Sequence, residues 1–439
     1  MNGVRRVWRE GVWIASGQLV GALGAMLAIR VLTTVLDPPV FGEMALGMTF
    51  ATLAAQTILG PLASAYQRFF AIADESRHLP QFFAAIFRLT TAASGATALL
   101  GLVVVAGLVG SGHTVLVPLA VVATAFALSA GWENILDSIQ NAARSRRVVA
   151  GHQAVRPWLR PLFAAGLVTA FGASSSLALG GYAVASFTVL ASQAIFYLRL
   201  IRRSGSSPQS GARNPTLDAE LLRYAAPFIA WGVFTWLQMS ADRWALDAAR
   251  GTAEVGLYAV LWQLGFYPLN LLGTVVLEVA APIVFARAGD GTAWERIAEA
   301  WRLLIYLAAA MLVATFVIVA VAVAVKEPIF GLLAGPPYQR VAPLLPLAVL
   351  GSGLFNVGQV LTLLPLVVRR ANMLIAPKAG TAILSAILSL CGAYLLGTTG
   401  VVVGGVAFAA VYVAWTFLMD VRLIRAARTS VTSPIAQAP

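Results

Sequence analysis

Charge is what this sequence has least of. Asp, Glu, Lys and Arg make up 11% of its 439 residues and hydrophobic residues 59%, where a soluble domain carries about a quarter charged residues. So few charges cannot cover the surface of soluble domains of this length, and that class is excluded. Lysine is nearly absent, with Lys326 and Lys378 alone. No Gly-x4-Gly-Lys-Ser/Thr phosphate loop exists, which excludes ATP hydrolysis by that route. The single cysteine, Cys391, excludes an internal disulfide. The three histidines, His78, His113 and His152, stand in separate loops or helix ends without metal-ligand spacing. No Ser/His/Asp or Cys/His arrangement is visible, and no cofactor or metal is expected. The net charge is +12. On a soluble domain that would point to nucleic acid, but here the charges are too far apart, and nucleic acid is not an expected partner.

What is present instead is a series of charge-free runs: 11–29, 44–67, 89–132, 161–198, 224–241, 255–277, 303–325, 341–368 and 379–419. A helix crosses the hydrocarbon with about 20 mostly apolar residues. Three of these nine runs are too long for one crossing. They carry turn signals at Gly110-Ser111-Gly112-His113, at Gly172 to Ser176 and at Gly397-Thr398-Thr399-Gly400. Splitting them gives twelve spans. Alternating barrel-type patterning is absent, so the spans are helices. Helix 6 needs most of Leu177–Leu198, which leaves helix 5 too short unless it starts earlier and draws in Arg160 and Arg156. The first span reads as a helix and not a cleaved signal peptide, because no small-residue cleavage site follows its apolar region.

With the N-terminus in the cytoplasm, 25 of the 30 basic residues fall on the cytoplasmic side. The five on the other side are Arg30, Arg243, Arg250, Lys326 and Arg340. The positive-inside rule therefore puts both termini in the cytoplasm. The stretch Arg202–Pro215 is rich in Ser, Gly and Pro and reads as a linker. The expected organisation is an N-terminal lobe at 1–203, a cytoplasmic linker at 204–215, a C-terminal lobe at 216–428 and a tail at 429–439. The halves echo each other: Arg30 precedes Phe41-Gly42-Glu43, and Arg243 precedes Val255-Gly256-Leu257. Arg30 and Arg243 are 213 positions apart, and Gly42 and Gly256 are 214 apart. Six helices per half is an even number, so the lobes should be related by a pseudo-two-fold along the membrane normal. Such parallel repeats belong to alternating-access transporters.

Ionisable residues inside spans are costly and point to function. Asp242 and Arg243, at the outer part of helix 7, are expected to pair with each other or with Arg30, closing an outer gate. Arg156 and Arg160 lie one turn apart on helix 5. Two guanidiniums there suit bidentate capture of a diphosphate; snorkelling to headgroups is the plainer alternative. Glu133 and Asp137, at i and i+4 on helix 4, are a candidate cation or proton site, with pairing to Arg144, Arg146 or Arg147 preferred. Glu278 in helix 8 has no basic neighbour in sequence and is a candidate for proton or Na⁺ coupling. Trp231, Trp236, Trp244 and Trp262 could stack on sugars, with packing preferred. Outer loops are short, the longest running from about Lys326 to Arg340, which leaves little room for a catalytic loop. An enzyme is not expected.

The stretch Leu222 to Leu264 resembles the start of the second half of bacterial oligosaccharide flippases. These are the polysaccharide-transport branch of the multidrug/oligosaccharidyl-lipid/polysaccharide exporter superfamily. The resemblance rests on Tyr224, Pro227, Ser240, Asp242, Arg243 and Glu254-Val255-Gly256-Tyr258, with Arg30 and Phe41-Gly42-Glu43 fitting in the first half. It implies two six-helix lobes around a cationic cavity in the bacterial inner membrane. It also implies movement of undecaprenyl-diphosphate-linked oligosaccharide to the outer leaflet for surface polysaccharide assembly, with H⁺ or Na⁺ as coupling ion and polysaccharide assembly proteins as partners alongside membrane lipids. On that reading Arg30 and Arg243 line or close the cavity, with Arg156 and Arg160 as further contacts. The family often carries deeper ionisable residues in helix 7. Here Tyr224–Ala241 has none, which leaves the coupling ion unassigned. The competing readings are a multidrug or cation antiporter of the same superfamily and a membrane glycan polymerase or ligase.

Overall fold

The computed structural model describes residues 20–203, 214–289 and 293–432. Most of the expected linker, residues 204–213, and the end of the tail lie outside the described residues. The fold is all-α and membrane-integral, and among the described residues each of the twelve expected spans corresponds to one helix. These are α1 (Val20–Val35), α2 (Pro38–Glu75), α3 (Leu79–Gly110), α4 (Val117–Ala142), α5 (Arg146–Phe171) and α6 (Ser175–Arg203). In the second half they are α7 (Pro215–Arg250), α8 (Thr252–Ala288), α9 (Trp294–Leu333), α10 (Leu345–Leu361), α11 (Ile375–Leu396) and α12 (Thr398–Thr432). A helical turn, Leu363–Val367, follows α10. Nine of the described helices are long and apolar enough to cross a membrane, and α1 is a shorter apolar helix. Helix α5 takes in Arg156 and Arg160, as the run lengths require.

The breaks follow from local chemistry. All three expected turns are present, each with a glycine at positive φ: Gly112 at 80°, Gly172 at 103° and Gly397 at 60°, where an added Cβ would be strained. Helix α2 starts on Pro38 and Pro39, whose fixed φ suits a first turn and whose missing N–H is no loss there. Pro61, further along α2, cannot donate to the ladder. The helix widens into a π-helical stretch, Ala55–Leu59, just before it.

The expected 2/3, 4/5 and 10/11 loops close in one way. Arg77, Arg144 and Arg369 adopt left-handed φ values of 59°, 58° and 56°. In each the following amide reaches back to the last turn: His78 N to Ala73 O, Ser145 N to Gln140 O and Arg370 N to Pro365 O, all at 2.8 Å. This is the helix-ending motif that normally uses glycine. Arginine occupies it at a conformational cost of roughly 1–2 kcal/mol.

The chain divides into two compact units, residues 1–236 and 237–439, with the division inside α7. In the first unit, the leading part of α7 is bound in by Arg88, whose Nη2 donates to both Asp218 oxygens at 2.9 and 3.1 Å. Trp236 Nε1 donates to the Thr49 carbonyl at 2.8 Å. A Cβ at Gly232 would lie 2.1 Å from the Gln56 carbonyl oxygen, so only glycine allows this approach. The core of this unit gathers Tyr66, Phe82, Phe83, Ile86, Ile135 and Ile139. In the second unit, Phe355, Phe408 and Tyr412 form a smaller aromatic core.

The internal repeat shows in the local structure of each unit. Arg144 and Arg369 are 225 positions apart, as are Gly172 and Gly397, and all four have positive φ. In the first unit, the Ser175 hydroxyl at the start of α6 donates to Glu43 of α2 at 2.7 Å. In the second, the Thr398 hydroxyl at the start of α12 donates to Glu254 of α8. Each half thus ties its second helix to the start of its sixth by a carboxylate and a hydroxyl.

Candidate functional site

Four residues singled out separately in the sequence form one buried cluster in the first unit. Arg160 Nη2 donates to Glu133 Oε2 at 3.0 Å, and Arg156 Nη2 donates to Asp137 Oδ2 at 2.9 Å. Arg156 Nε lies 2.6 Å from Glu133 Oε2, an ion pair whose N–H is not aligned as a hydrogen bond. Helix α6 completes the cluster. Ser186 Oγ accepts from Arg160 Nε and Nη2 at 3.2 and 3.0 Å, and Gln193 Nε2 donates to Asp137 Oδ1 at 2.6 Å. The Arg160 guanidinium also sits 5.1 Å from the Phe126 ring centre.

The preferred pairing of Glu133 and Asp137 with Arg144, Arg146 or Arg147 is therefore corrected. Arg146 instead donates to the Asn141 side chain at 2.9 Å, and the carboxylates face α5. The reason is hairpin register. Helices α4 and α5 turn at residues 143–145, so residues at equal distances before and after the turn lie opposite each other. Glu133, ten residues before the turn, and Arg156, eleven after it, lie within one residue of that register. Two carboxylates and two guanidiniums balance, which is the form in which charge can be held inside a membrane protein. Three buried acceptors, Glu133 Oε1, Gln140 Oε1 and Gln193 Oε1, have no hydrogen-bond partner. The cluster can therefore take further donors. A phosphate could be held here only by displacing a carboxylate from a guanidinium.

The second cluster lies in the second unit, around Asp242 and Arg243. Their expected mutual pairing is present: Arg243 Nη1 is 3.5 Å from Asp242 Oδ1, and both residues are buried. Asp242 is held by the Arg243 amide at 2.8 Å and by the Tyr258 hydroxyl at 2.5 Å. The Arg243 guanidinium lies 4.9 Å from the Trp262 ring centre, within cation–π range. Trp262 stacks on Phe266 at 4.7 Å. Asp242, Tyr258, Trp262, Gln238, Ser385 and Ser389 line a cavity of about 80 Å³. That space holds a few waters and is too small for a glycan.

The remaining expected residues are dispersed. Arg30 is half-buried on α1. Glu278 lies on α8, with its side chain outside the described residues. Trp231 and Trp244 are exposed, whereas Trp236 and Trp262 pack as described above. His152 bonds Ser192 through Nε2 at 3.0 Å. Cys391 is exposed. Among the described residues no three His, Cys, Asp or Glu side chains gather as a metal site.

Two buried ionisable residues escape the sequence reading. Lys378, counted there as cytoplasmic, is buried on α11, with its Nζ donating to Gln238 Oε1. Gln238 Nε2 in turn donates to Thr381 at 3.0 Å. Asp420 on α12 is completely buried. Both residues bound the charge-free run 379–419, and a reading that takes charges as span ends assigns them to loops.

No protein-family model and no curated protein matches the sequence. Solved structures share its fold. An inward-facing multidrug resistance MATE family transporter of the MOP superfamily matches with a TM-score of 0.74 at 13% identity, over 93% of this chain and 96% of that one. The lipid II flippase MurJ in an inward closed conformation matches with a TM-score of 0.68 at 10% identity, over 93% and 87%. An outward-facing multidrug resistance MATE family transporter matches with a TM-score of 0.62 at 14% identity, over 96% of both chains.

Proposed function

We propose that this protein is a flippase. It would carry undecaprenyl-diphosphate-linked oligosaccharide from the cytoplasmic to the outer leaflet of a bacterial inner membrane, for surface polysaccharide assembly. The carrying observation is the fold: known structures that share it include a lipid II flippase, and MATE transporters in both inward- and outward-facing conformations. A shared fold alone does not set a substrate. The choice of an anionic substrate rests on the guanidiniums: Arg243 beside the Trp262 face, and Arg156 and Arg160 inside α5. Arginine matches phosphate in a planar, bidentate way. On this reading Arg30, Arg156, Arg160 and Arg243 contact the diphosphate or close the path. Asp242, Glu278, Glu133 and Asp137 serve gating or ion coupling. Both termini are cytoplasmic, the lobes are 1–203 and 216–428, and the chain carries out no covalent chemistry.

A cationic-drug antiporter is the second reading, favoured by the MATE matches. Gene deletion separates the two. Loss of surface glycan with unchanged drug tolerance supports the flippase, and drug hypersensitivity with intact glycan supports the antiporter.

A further inference from the structure

Asp420 is a buried charged group that neither cluster uses. It is 0% exposed, and neither carboxylate oxygen has a hydrogen-bond partner. One turn earlier, Thr416 is also buried, but its hydroxyl is committed to the backbone at Tyr412 and Val413, 2.9 and 3.0 Å away. A further turn back, the Tyr412 hydroxyl is committed to Gln359 at 2.6 Å.

Among the described residues, no neighbouring helix supplies a counter-charge. α12 packs against α8, α9, α10, α11 and the Leu363–Val367 turn. α10 and that turn contain no charged residue at all. α11 contributes only Lys378, which is engaged with Gln238. At the inner end of α9, Glu295, Arg296, Glu299 and Arg302 are all exposed, while Lys326 lies at its far end beside Glu327. Arg287 of α8 is exposed, and Glu254 and Tyr258 are held by Thr398 and Asp242. On α12 itself, Arg422, Arg425 and Arg428 point outward. Asp420 makes no ion pair with any of them.

An ionised carboxylate fully enclosed by protein and without a protein partner is prohibitively costly. A metal ion does not resolve this, because one carboxylate and an already committed threonine hydroxyl cannot complete its coordination. A proton does. We propose that Asp420 is a proton-binding site. In this conformation it is the neutral acid, and it gives its proton to water when the inner end of α12 becomes wet. The assignment is independent of which substrate the protein carries.

Infrared difference spectroscopy of the full-length protein in liposomes at neutral pH tests this. The wild type should show the carbonyl stretch of a protonated carboxyl, and Asp420→Asn should lose that contribution while melting at the wild-type temperature. Asparagine has the shape and size of the neutral acid, so Asp420→Asn should fold; Asp420→Leu keeps the branched skeleton without the oxygens and is the larger change. A spectrum unchanged by both substitutions, or a wild type without the band, overturns the proposal. So does failure of both variants to fold, because that would mean the protein needs a paired carboxylate there.

Discussion

Arg160 of α5 and Glu133 of α4 meet 3.0 Å apart inside the first unit. They close a cluster in which neither guanidinium stands alone. Glu133 is 0% exposed and faces both Arg156 and Arg160. Removing this carboxylate therefore leaves the Arg160 guanidinium without its counter-charge, whereas Glu133 keeps Arg156 when Arg160 is removed. Glu133→Gln should destabilise the purified protein by about 3 kcal/mol or more. Adding Arg160→Gln should restore part of that loss, because residues in one network are not additive. Thermal melting of the two single variants and the double variant checks it. Strict additivity would show that the pair is not coupled.

The Tyr258 hydroxyl holds Asp242 at 2.5 Å. Tyr258→Phe should cost roughly 1.5–3 kcal/mol, the range for a hydrogen bond to a charged group. The adjoining cavity of about 80 Å³ can admit water to the freed oxygen, which places the cost at the lower end. The same variant should slow transport, because Asp242 is then free to rotate away from Arg243. Wild-type stability and rate together would remove Tyr258 from the account.

Gly232 lies where a Cβ would come within 2.1 Å of the Gln56 carbonyl. Gly232→Ala should therefore destabilise the protein by about 1–3 kcal/mol through overpacking, even though alanine is the better helix former. Gly95, where a Cβ would meet nothing within 4 Å, is the control. Gly95→Ala should be neutral or stabilising. Equal melting shifts in the two variants would contradict the close approach of α7 to α2.

Arg144 carries a φ of 58°. Arg144→Gly should stabilise the fold by up to about 1 kcal/mol by relieving the left-handed strain. If arginine is kept there for topology, the same change should raise the fraction of chains inserted in the wrong orientation. Reporter tags on the termini measure that fraction, and melting measures the strain.

The parts of this fold that can be read in the sequence are those the bilayer dictates. Hydrocarbon thickness sets the span lengths. Glycines at 112, 172 and 397 mark breaks because no other residue turns the chain there without strain. The Asp242–Arg243 pair is legible because its partners are adjacent in sequence. The Glu133–Arg156 pairing is less visible, although the two stand at nearly equal distances from the 143–145 turn. Its partners come together only through the register of two packed helices. Lys378 and Asp420 could not be recognised as buried, because a charge at the edge of an apolar run reads as its end. Only the packing of neighbouring helices shows that both side chains are buried. The left-handed arginines leave no sequence signal, since that backbone state usually announces itself as glycine.

In the proposed function, guanidiniums in a twelve-helix fold carry a diphosphate-linked glycan across the bilayer. The most direct test places the purified protein in liposomes with a fluorescent polyprenyl-diphosphate oligosaccharide and follows its accessibility to a quencher outside. Wild-type protein should transfer the lipid between leaflets. Arg243→Ala should abolish transfer and Arg160→Ala should reduce it at least about tenfold, corresponding to about 1.4 kcal/mol of lost interaction, with folded protein levels matched. Transfer at wild-type rate in both variants, or none by the wild type, would contradict the account.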